Sequence, residues 1–262
     1  LANLQQHYPS QQTETALRRS ADFFHRECIA EVPAEPELLA VWSRPELNRG
    51  SSPVTAKLGG AGLGLVALLN TEAVCPGASD AETLRRLGRF IVFMQKEDGS
   101  FYSKYIPSRG GRDDSWTALY YPGEAALGLT MLYEYDRSPE WLQAAARALR
   151  YLAVSRKGKS VVEADHWALL ATAKMLPYRD QFADIVDANT LIAHAQQITR
   201  SMLDQRPTIS SRSSLHGCFT FDGRTCPTAT RLEGLQAVLT FLPAEESKLR
   251  REIEAAVEAG IQ

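Results

Sequence analysis

Four segments of the chain share one pattern of small and large apolar positions. They begin at Lys57, Tyr121, Ala164 and Thr230, and they read KLGGAGLGLVALLN, YPGEAALGLTMLYE, ADHWALLATAKMLP and TRLEGLQAVLTFLP. The fifth and eighth positions are always alanine or glycine, and the twelfth and thirteenth are always bulky. Because positions three apart lie on the same face of a helix, the pattern predicts four helices that pack closely against their neighbours.

Longer and more charged amphipathic segments alternate with these four. They cover residues 14–26, 81–95, 139–155, 182–203 and 245–260. No strand pattern of comparable length occurs, only short pieces such as 218–221. This order predicts a single all-α domain over residues 1–262, built from repeated αα-hairpins with the glycine- and alanine-rich helices inside. A chance alignment of apolar helices is the alternative interpretation of the repeat.

Two of the predicted inner helices follow long loops. The loops DGSFYSKYIPSRGGRDDSWTALY (98–120) and HGCFTFDGRTCPTAT (216–230) both contain Gly-x-Phe followed by a turn with glycine and arginine. Loops of this length are usually functional or disordered. Their aromatic and turn residues favour order, so we expect short β-hairpin-like structures at one end of the helices.

The repeat and the stretch FMQKEDGSF (93–101) resemble the α/α-toroid superfamily, which includes six-hairpin glycosidases, sugar lyases and epimerases, and terpene cyclases. The stretch is similar to the Gln…Gly-Ser-Phe/Trp repeat that closes outer helices in terpene cyclases. The resemblance implies an α/α toroid. The chain has fewer predicted helices than a complete toroid, so we expect an open or incomplete ring that is part of a longer polypeptide. The Asp-x-Asp-Asp acid of protonating terpene cyclases is absent, because residues 112–115 read RDDS.

Composition narrows the function classes. The chain has 29 Lys and Arg against 31 Asp and Glu, so it lacks the basic excess that nucleic-acid binding normally requires. No apolar run reaches the roughly 18–20 residues of a membrane-spanning helix, and no signal segment is visible, so we expect a soluble protein of undetermined location.

Motifs for cofactors and metals are also missing. No phosphate loop, dinucleotide fingerprint or serine-nucleophile elbow occurs, so we expect no cofactor. His216, Cys218 and Cys226 form the only metal-like group, but the spacing His-x-Cys-x7-Cys is unlike common zinc sites, and we expect no metal. A Cys218–Cys226 disulfide and two free thiols both remain open.

In a toroid-like array the inner helices run parallel, so their first turns gather at one mouth. The predicted catalytic residues there are Glu124, Asp165, His166 and Glu233. The predicted substrate-binding residues are Lys57, Tyr121, Trp167 and Arg231, and the long loops add Tyr105, Asp113, Asp114, Trp116 and His216. Aromatic rings stack on sugar rings, and paired carboxylates act as acid and base, so the set is typical of a carbohydrate-active site. Proton abstraction beside a carbonyl, as in epimerases, would instead favour His166 as the base.

Structural roles are the alternative for several of these residues. Glu124 suits the dipole of its helix, Asp165 suits an N-cap, and Asp113 suits a turn. We therefore expect a glycan hydrolase, lyase or sugar epimerase, whose partner is a sugar or another small molecule. A non-catalytic binding or scaffolding domain of a larger protein, and an isoprenoid- or peptide-modifying enzyme, are the alternatives.

Overall fold

The structure, a computed structural model, describes residues 1–48, 53–210 and 212–261. The chain divides into two compact units, Leu1–Ala148 and Leu149–Gln262. The first unit combines helices with a β-sheet. In the second unit, the residues that the structure describes form helices and turns.

Helices occur in each of the predicted segments of the first unit, and two further short helices, Ala2–His7 and Pro45–Asn48, were not predicted. The helices of this unit are α1 (Ala2–His7), α2 (Gln11–Phe23), α3 (Pro45–Asn48), α4 (Leu58–Val74), α5 (Ala81–Phe93), α6 (Tyr121–Asp136) and α7 (Pro139–Arg156), the last of which continues into the second unit. A π-helical turn, Phe24–Cys28, extends α2. Side-chain caps fix two of the starts, because Ser10 accepts from the amide of Thr13 and Asp80 from that of Thr83.

A five-stranded antiparallel sheet in the first unit shows that the all-α prediction is wrong. Its strands, in spatial as well as sequence order, are β1 (Ile29–Val32), β2 (Glu35–Ser43), β3 (Thr55–Lys57), β4 (Lys104–Ile106) and β5 (Gly111–Asp113). Three of these strands have three residues each, too few for an alternating pattern. The longest strand, β2, buries residues 38–40 consecutively and therefore lacks the alternation that identifies a half-exposed strand.

The loop at 98–120 contains the expected hairpin, formed by β4 and β5. Gly110 and Gly111 make its turn with φ of 86° and 106°, which glycine adopts without steric cost. No hairpin forms in the loop predicted at 216–230. Residues 216–224 make turns, a helix begins at Thr225, and the piece 218–221 is not a strand.

Glycines allow α4 and α6 to approach closely. A Cβ on Gly62 would lie 2.7 Å from the carbonyl carbon of Glu124 and 2.8 Å from the amide nitrogen of Ala125. A Cβ on Gly128 would lie 2.9 Å from the carbonyl oxygen of Gly62. Gly59, in the first turn of α4, faces Tyr121 and Glu124 in the first turn of α6. The two helices therefore run parallel, with their N-terminal ends side by side.

The second unit contains four further helices and a 3-10 turn, Leu176–Gln181. The helices are α8 (His166–Met175), α9 (Ala188–Asp204), α10 (Thr225–Leu239) and α11 (Ser247–Ile261). A Cβ on Gly234 of α10 would lie 2.9 Å from the Cβ of His166, so α8 and α10 also pack closely. Among the described residues, no helix combines the length and the apolar character that crossing a membrane demands.

Candidate functional site

Three charged residues form a row across the sheet of the first unit. Lys57 of β3 is the register partner of Lys104 in β4, and Lys104 is the register partner of Asp113 in β5. Directly opposed residues in an antiparallel sheet project from the same face. Lys57 is exposed, and Lys104 and Asp113 are partly buried. This face of the sheet therefore presents a row of two cationic groups and one anionic group.

The opposite face of the same strands belongs to the core. Tyr105 is buried, and its ring packs edge-on against Trp42 and Phe90, with centroids 6.2 and 6.4 Å away. Its hydroxyl donates to the carbonyl of Pro33 at 3.3 Å. We predicted Tyr105 as a substrate-binding residue, and its place in the core removes it from the candidate site.

Two aromatic residues lie beside the charged row. The ammonium of Lys104 is 4.6 Å from the centroid of the Trp116 ring, a cation–π contact. Trp116 in turn packs edge-on against Tyr121, at a centroid distance of 5.8 Å. Trp116 nevertheless remains 48% exposed. We name these five residues, Lys57, Lys104, Asp113, Trp116 and Tyr121, the lysine–aromatic face.

Glu124 lies next to this face in the first turn of α6. Its side chain is 6% exposed, and a Cβ on Gly59 would overlap both its carboxylate and the Tyr121 ring. The carboxylate is thus placed at the first turns of two helices, where their dipoles favour negative charge. Burial raises the pKa of the Tyr121 hydroxyl, and the neighbouring charge of Glu124 raises this pKa further.

The two predicted aspartates of the β5 loop have different surroundings. Asp113 accepts hydrogen bonds from the hydroxyl and the amide of Ser115, and these bonds lower the pKa of its carboxyl. Arg109 and Lys104 lower it further through their charges. Asp114 instead pairs with Lys96 at 2.7 Å, and Lys96 also contacts the Tyr102 ring. Asp113 is therefore an ionised member of the face, whereas Asp114 is committed to an ion pair.

In the second unit, Asp165 has a structural role. Its carboxylate is fully buried, accepts from Arg156 at 2.9 Å and caps α8 by accepting from the amide of Ala168 at 3.1 Å. Burial raises the pKa of the Asp165 carboxyl, and Arg156 opposes that shift. We predicted Asp165 as catalytic, but a carboxylate enclosed in this way is not accessible to a substrate.

The other predicted residues of the second unit differ in how far they are exposed to solvent. His166 is buried, and its ring centroid lies 4.6 Å from that of Trp167. Burial, followed by the charge of Arg231, lowers the pKa of His166 to about 4, so the imidazole is neutral at pH 7. Glu233 and His216 are exposed. Nothing in these positions tests their predicted roles, which stay predictions.

The cysteines form no disulfide among the residues that the structure describes. Cys218 and Cys226 are both free, as are Cys28 and Cys75. Within residues 1–48, 53–210 and 212–261, no three His, Cys, Asp or Glu side chains are arranged to hold a metal ion.

His194 gives the second unit a pH-dependent stability. It is 3% exposed, and its Nε2 is 3.4 Å from the guanidinium of Arg156, which can only donate, so the ring is neutral. Burial and Arg156 lower its pKa from 6.5 to about 3. As the pH decreases, this histidine is protonated near pH 6.5 in the unfolded chain but only near pH 3 in the folded chain. The free energy of unfolding therefore falls as the pH decreases from 6.5 to about 3.

We expect the His194→Gln variant to lose less stability than the wild type between pH 7 and pH 4. Glutamine can accept a hydrogen bond from Arg156 but does not titrate. Because each pKa unit corresponds to about 1.4 kcal/mol, the wild type should lose on the order of 3 kcal/mol more stability than the variant over this pH range. Urea unfolding at both pH values measures it. The exposed His7, changed to Gln, is the control and should leave the pH dependence unchanged. Equal pH dependence in His194→Gln and wild type would contradict the prediction.

Comparison of this chain with protein-family models, with curated protein sequences and with solved structures found no match. The resemblance to the α/α-toroid superfamily therefore receives no support from relatives. The function is therefore inferred from the lysine–aromatic face and from Glu124.

Proposed function

We propose that this protein is a carbohydrate-active domain that binds a glycan on the lysine–aromatic face and uses Glu124 for proton transfer. The observation that supports this most strongly is the position of Trp116 and Tyr121 beside a buried carboxylate. Aromatic rings, a few convergent polar groups and a carboxylate are the parts from which sugar sites are built.

The distribution of exposed apolar side chains supports a binding role for this region. Trp116, Leu119 and Tyr120 are 48%, 37% and 37% exposed, and they lie within five residues of one another just before α6. Scattered exposed apolar residues need no explanation, but a concentration of them is typical of an interaction site. Tryptophan and tyrosine offer large rigid rings with a polar edge, which suits a ligand that has both C–H faces and hydroxyl groups.

Glu124 has the environment of a group that transfers protons. It lies on a helix rather than on a loop, and close packing of α4 against α6 fixes the first turn that carries it. Protein groups placed in this way are more precise than groups on loops. A carboxyl group at the sugar acts as general acid or base, and Asp113, ionised on the same face, is available as the complementary carboxylate.

A non-catalytic sugar-binding domain is the second candidate. The observation that favours it is the low exposure of Glu124, 6%, which limits the access of a substrate to the carboxylate. The two candidates differ in what happens to a bound oligosaccharide. Proton NMR of the oligosaccharide after incubation, which detects cleavage as well as epimerisation, distinguishes conversion by wild type, abolished in Glu124→Gln, from binding without conversion.

The test of the proposal is isothermal titration calorimetry with a panel of neutral and acidic oligosaccharides. We expect Trp116→Ala to weaken the affinity for the bound oligosaccharide at least about tenfold, because it removes the stacking surface. Tyr8→Ala is the control, since Tyr8 is 75% exposed and is not part of the face. The proposal fails if wild type binds no member of the panel, or if both variants bind as wild type does.

A further inference from the structure

We infer that the glycan bound on the lysine–aromatic face is a uronic-acid oligosaccharide, whose carboxylate is held between Lys57 and Lys104. This inference depends on the proposed function, because it names the substrate class of the same site. It is drawn from the charges of the face, whereas the proposed function is drawn from its aromatic residues and Glu124.

The positions of the two lysines are electrostatically unfavourable when no ligand is bound. They are direct register partners on β3 and β4, so their side chains start about 5 Å apart on the same face of the sheet. Like charges in this position destabilise a sheet. Sequences depart from locally favourable choices mainly at functional sites. An anion between the two ammonium groups would offset their repulsion.

Asp113 offsets only part of the positive charge of the two lysines. Among the residues that the structure describes, the ion pairs involve neither Lys57 nor Lys104. Asp113 is the register partner of Lys104, but it is also hydrogen-bonded to Ser115 and lies 4.0 Å from Arg109. The row of two lysines and one aspartate therefore carries more positive than negative charge.

The contact between Lys104 and Trp116 places the positive charge beside an exposed aromatic ring. The ammonium of Lys104 lies 4.6 Å from the centroid of Trp116, the ring on which a sugar would stack. A sugar on Trp116 is thus within a few ångströms of the Lys104 ammonium. A carboxylate attached directly to the stacked ring, as in a uronic acid, can pair with Lys104 without a linker, and Lys57 is the register partner of Lys104.

Matched ligands test the inference. The probes are trisaccharides of galacturonic, mannuronic and glucuronic acid, each compared with the same trisaccharide after reduction of its carboxyl groups to alcohols. Calorimetry at low salt should give wild type at least about tenfold higher affinity for one acidic trisaccharide than for its reduced partner. Lys57→Gln combined with Lys104→Gln should remove that preference, so that the acidic trisaccharide and its reduced partner bind this variant with similar affinity.

Controls separate this inference from the proposed function. Lys248→Gln, at a lysine that is 85% exposed on α11, should keep the preference. Equal affinity for acidic and reduced trisaccharides, lost in Trp116→Ala, would leave the proposed function standing and overturn the inference. A preference that survives the double substitution, or equally tight binding of polyglutamate, would also overturn it. Absence of binding to every trisaccharide would count against both.

Discussion

Replacing Asp165 by asparagine should lower the free energy of unfolding by about 3–5 kcal/mol, the usual cost of removing one partner from a buried ion pair. Asparagine has nearly the same shape and can still accept from the amide of Ala168, so the cap of α8 is retained. What is lost is the negative charge opposite Arg156, whose side chain is 5% exposed. The guanidinium then keeps only Glu163, an exposed carboxylate 3.7 Å away, as an anionic partner, and this loss of its buried partner is the main source of the destabilisation.

Urea unfolding of the wild type and two variants measures this effect. The control is Asp187→Asn, because Asp187 occupies the N-cap of α9, is exposed and makes no side-chain cap hydrogen bond. We expect the control to change stability by no more than about 0.5 kcal/mol. If Asp165→Asn behaved like Asp187→Asn, the buried pair with Arg156 would not have the structural role that we assign to it.

The second large effect is expected in α4, where two neighbouring glycines should respond in opposite directions. Gly62→Ala places a methyl group 2.7–2.8 Å from the backbone of Glu124 and Ala125, so α4 and α6 must separate, at a cost of about 1–3 kcal/mol. The nearest atom to a Cβ on Gly60 is 3.7 Å away, in the side chain of Val41. Gly60→Ala should therefore gain up to about 1 kcal/mol from the higher helix propensity of alanine.

Thermal and urea unfolding of both glycine variants give the comparison. The same pair of variants connects packing with function, because separation of α4 from α6 displaces Glu124 and Tyr121. A Gly62→Ala protein as stable as Gly60→Ala would show that the close contact between the two helices is absent.

Much of the helical structure was predictable from the sequence. Helices α4, α6, α8 and α10 cover most of each of the four repeated segments, and glycines of α4, α6 and α10 make close contacts of the kind that the small positions indicated. The sheet was not predictable in the same way. Strands of three residues contain too little pattern, and the buried centre of β2 has the same apolar character as a helix core.

Four of the five residues of the lysine–aromatic face were predicted as binding residues, namely Lys57, Asp113, Trp116 and Tyr121. The structure brings them together with Lys104, which was not predicted, and their binding role stays a prediction.

Lys104 and Tyr105 show why the set of binding residues predicted from the sequence was incomplete. They are adjacent in β4, and a strand sends adjacent side chains to opposite faces. Without β4 in the prediction, nothing indicated that Tyr105 belongs to the core and Lys104 to the exposed row.

That a glycan binds on the lysine–aromatic face is a claim that indole NMR can test at Trp116 itself. The chain has four tryptophans, so a ¹⁵N-labelled sample gives four indole N–H signals, which Trp→Phe variants assign. On titration with the tightest-binding oligosaccharide of the panel, we expect the Trp116 signal to shift and saturate. The signal of Trp141, which is 1% exposed in the first unit, should stay in place. A saturable titration that leaves the Trp116 signal unchanged would place the binding site elsewhere and contradict the claim.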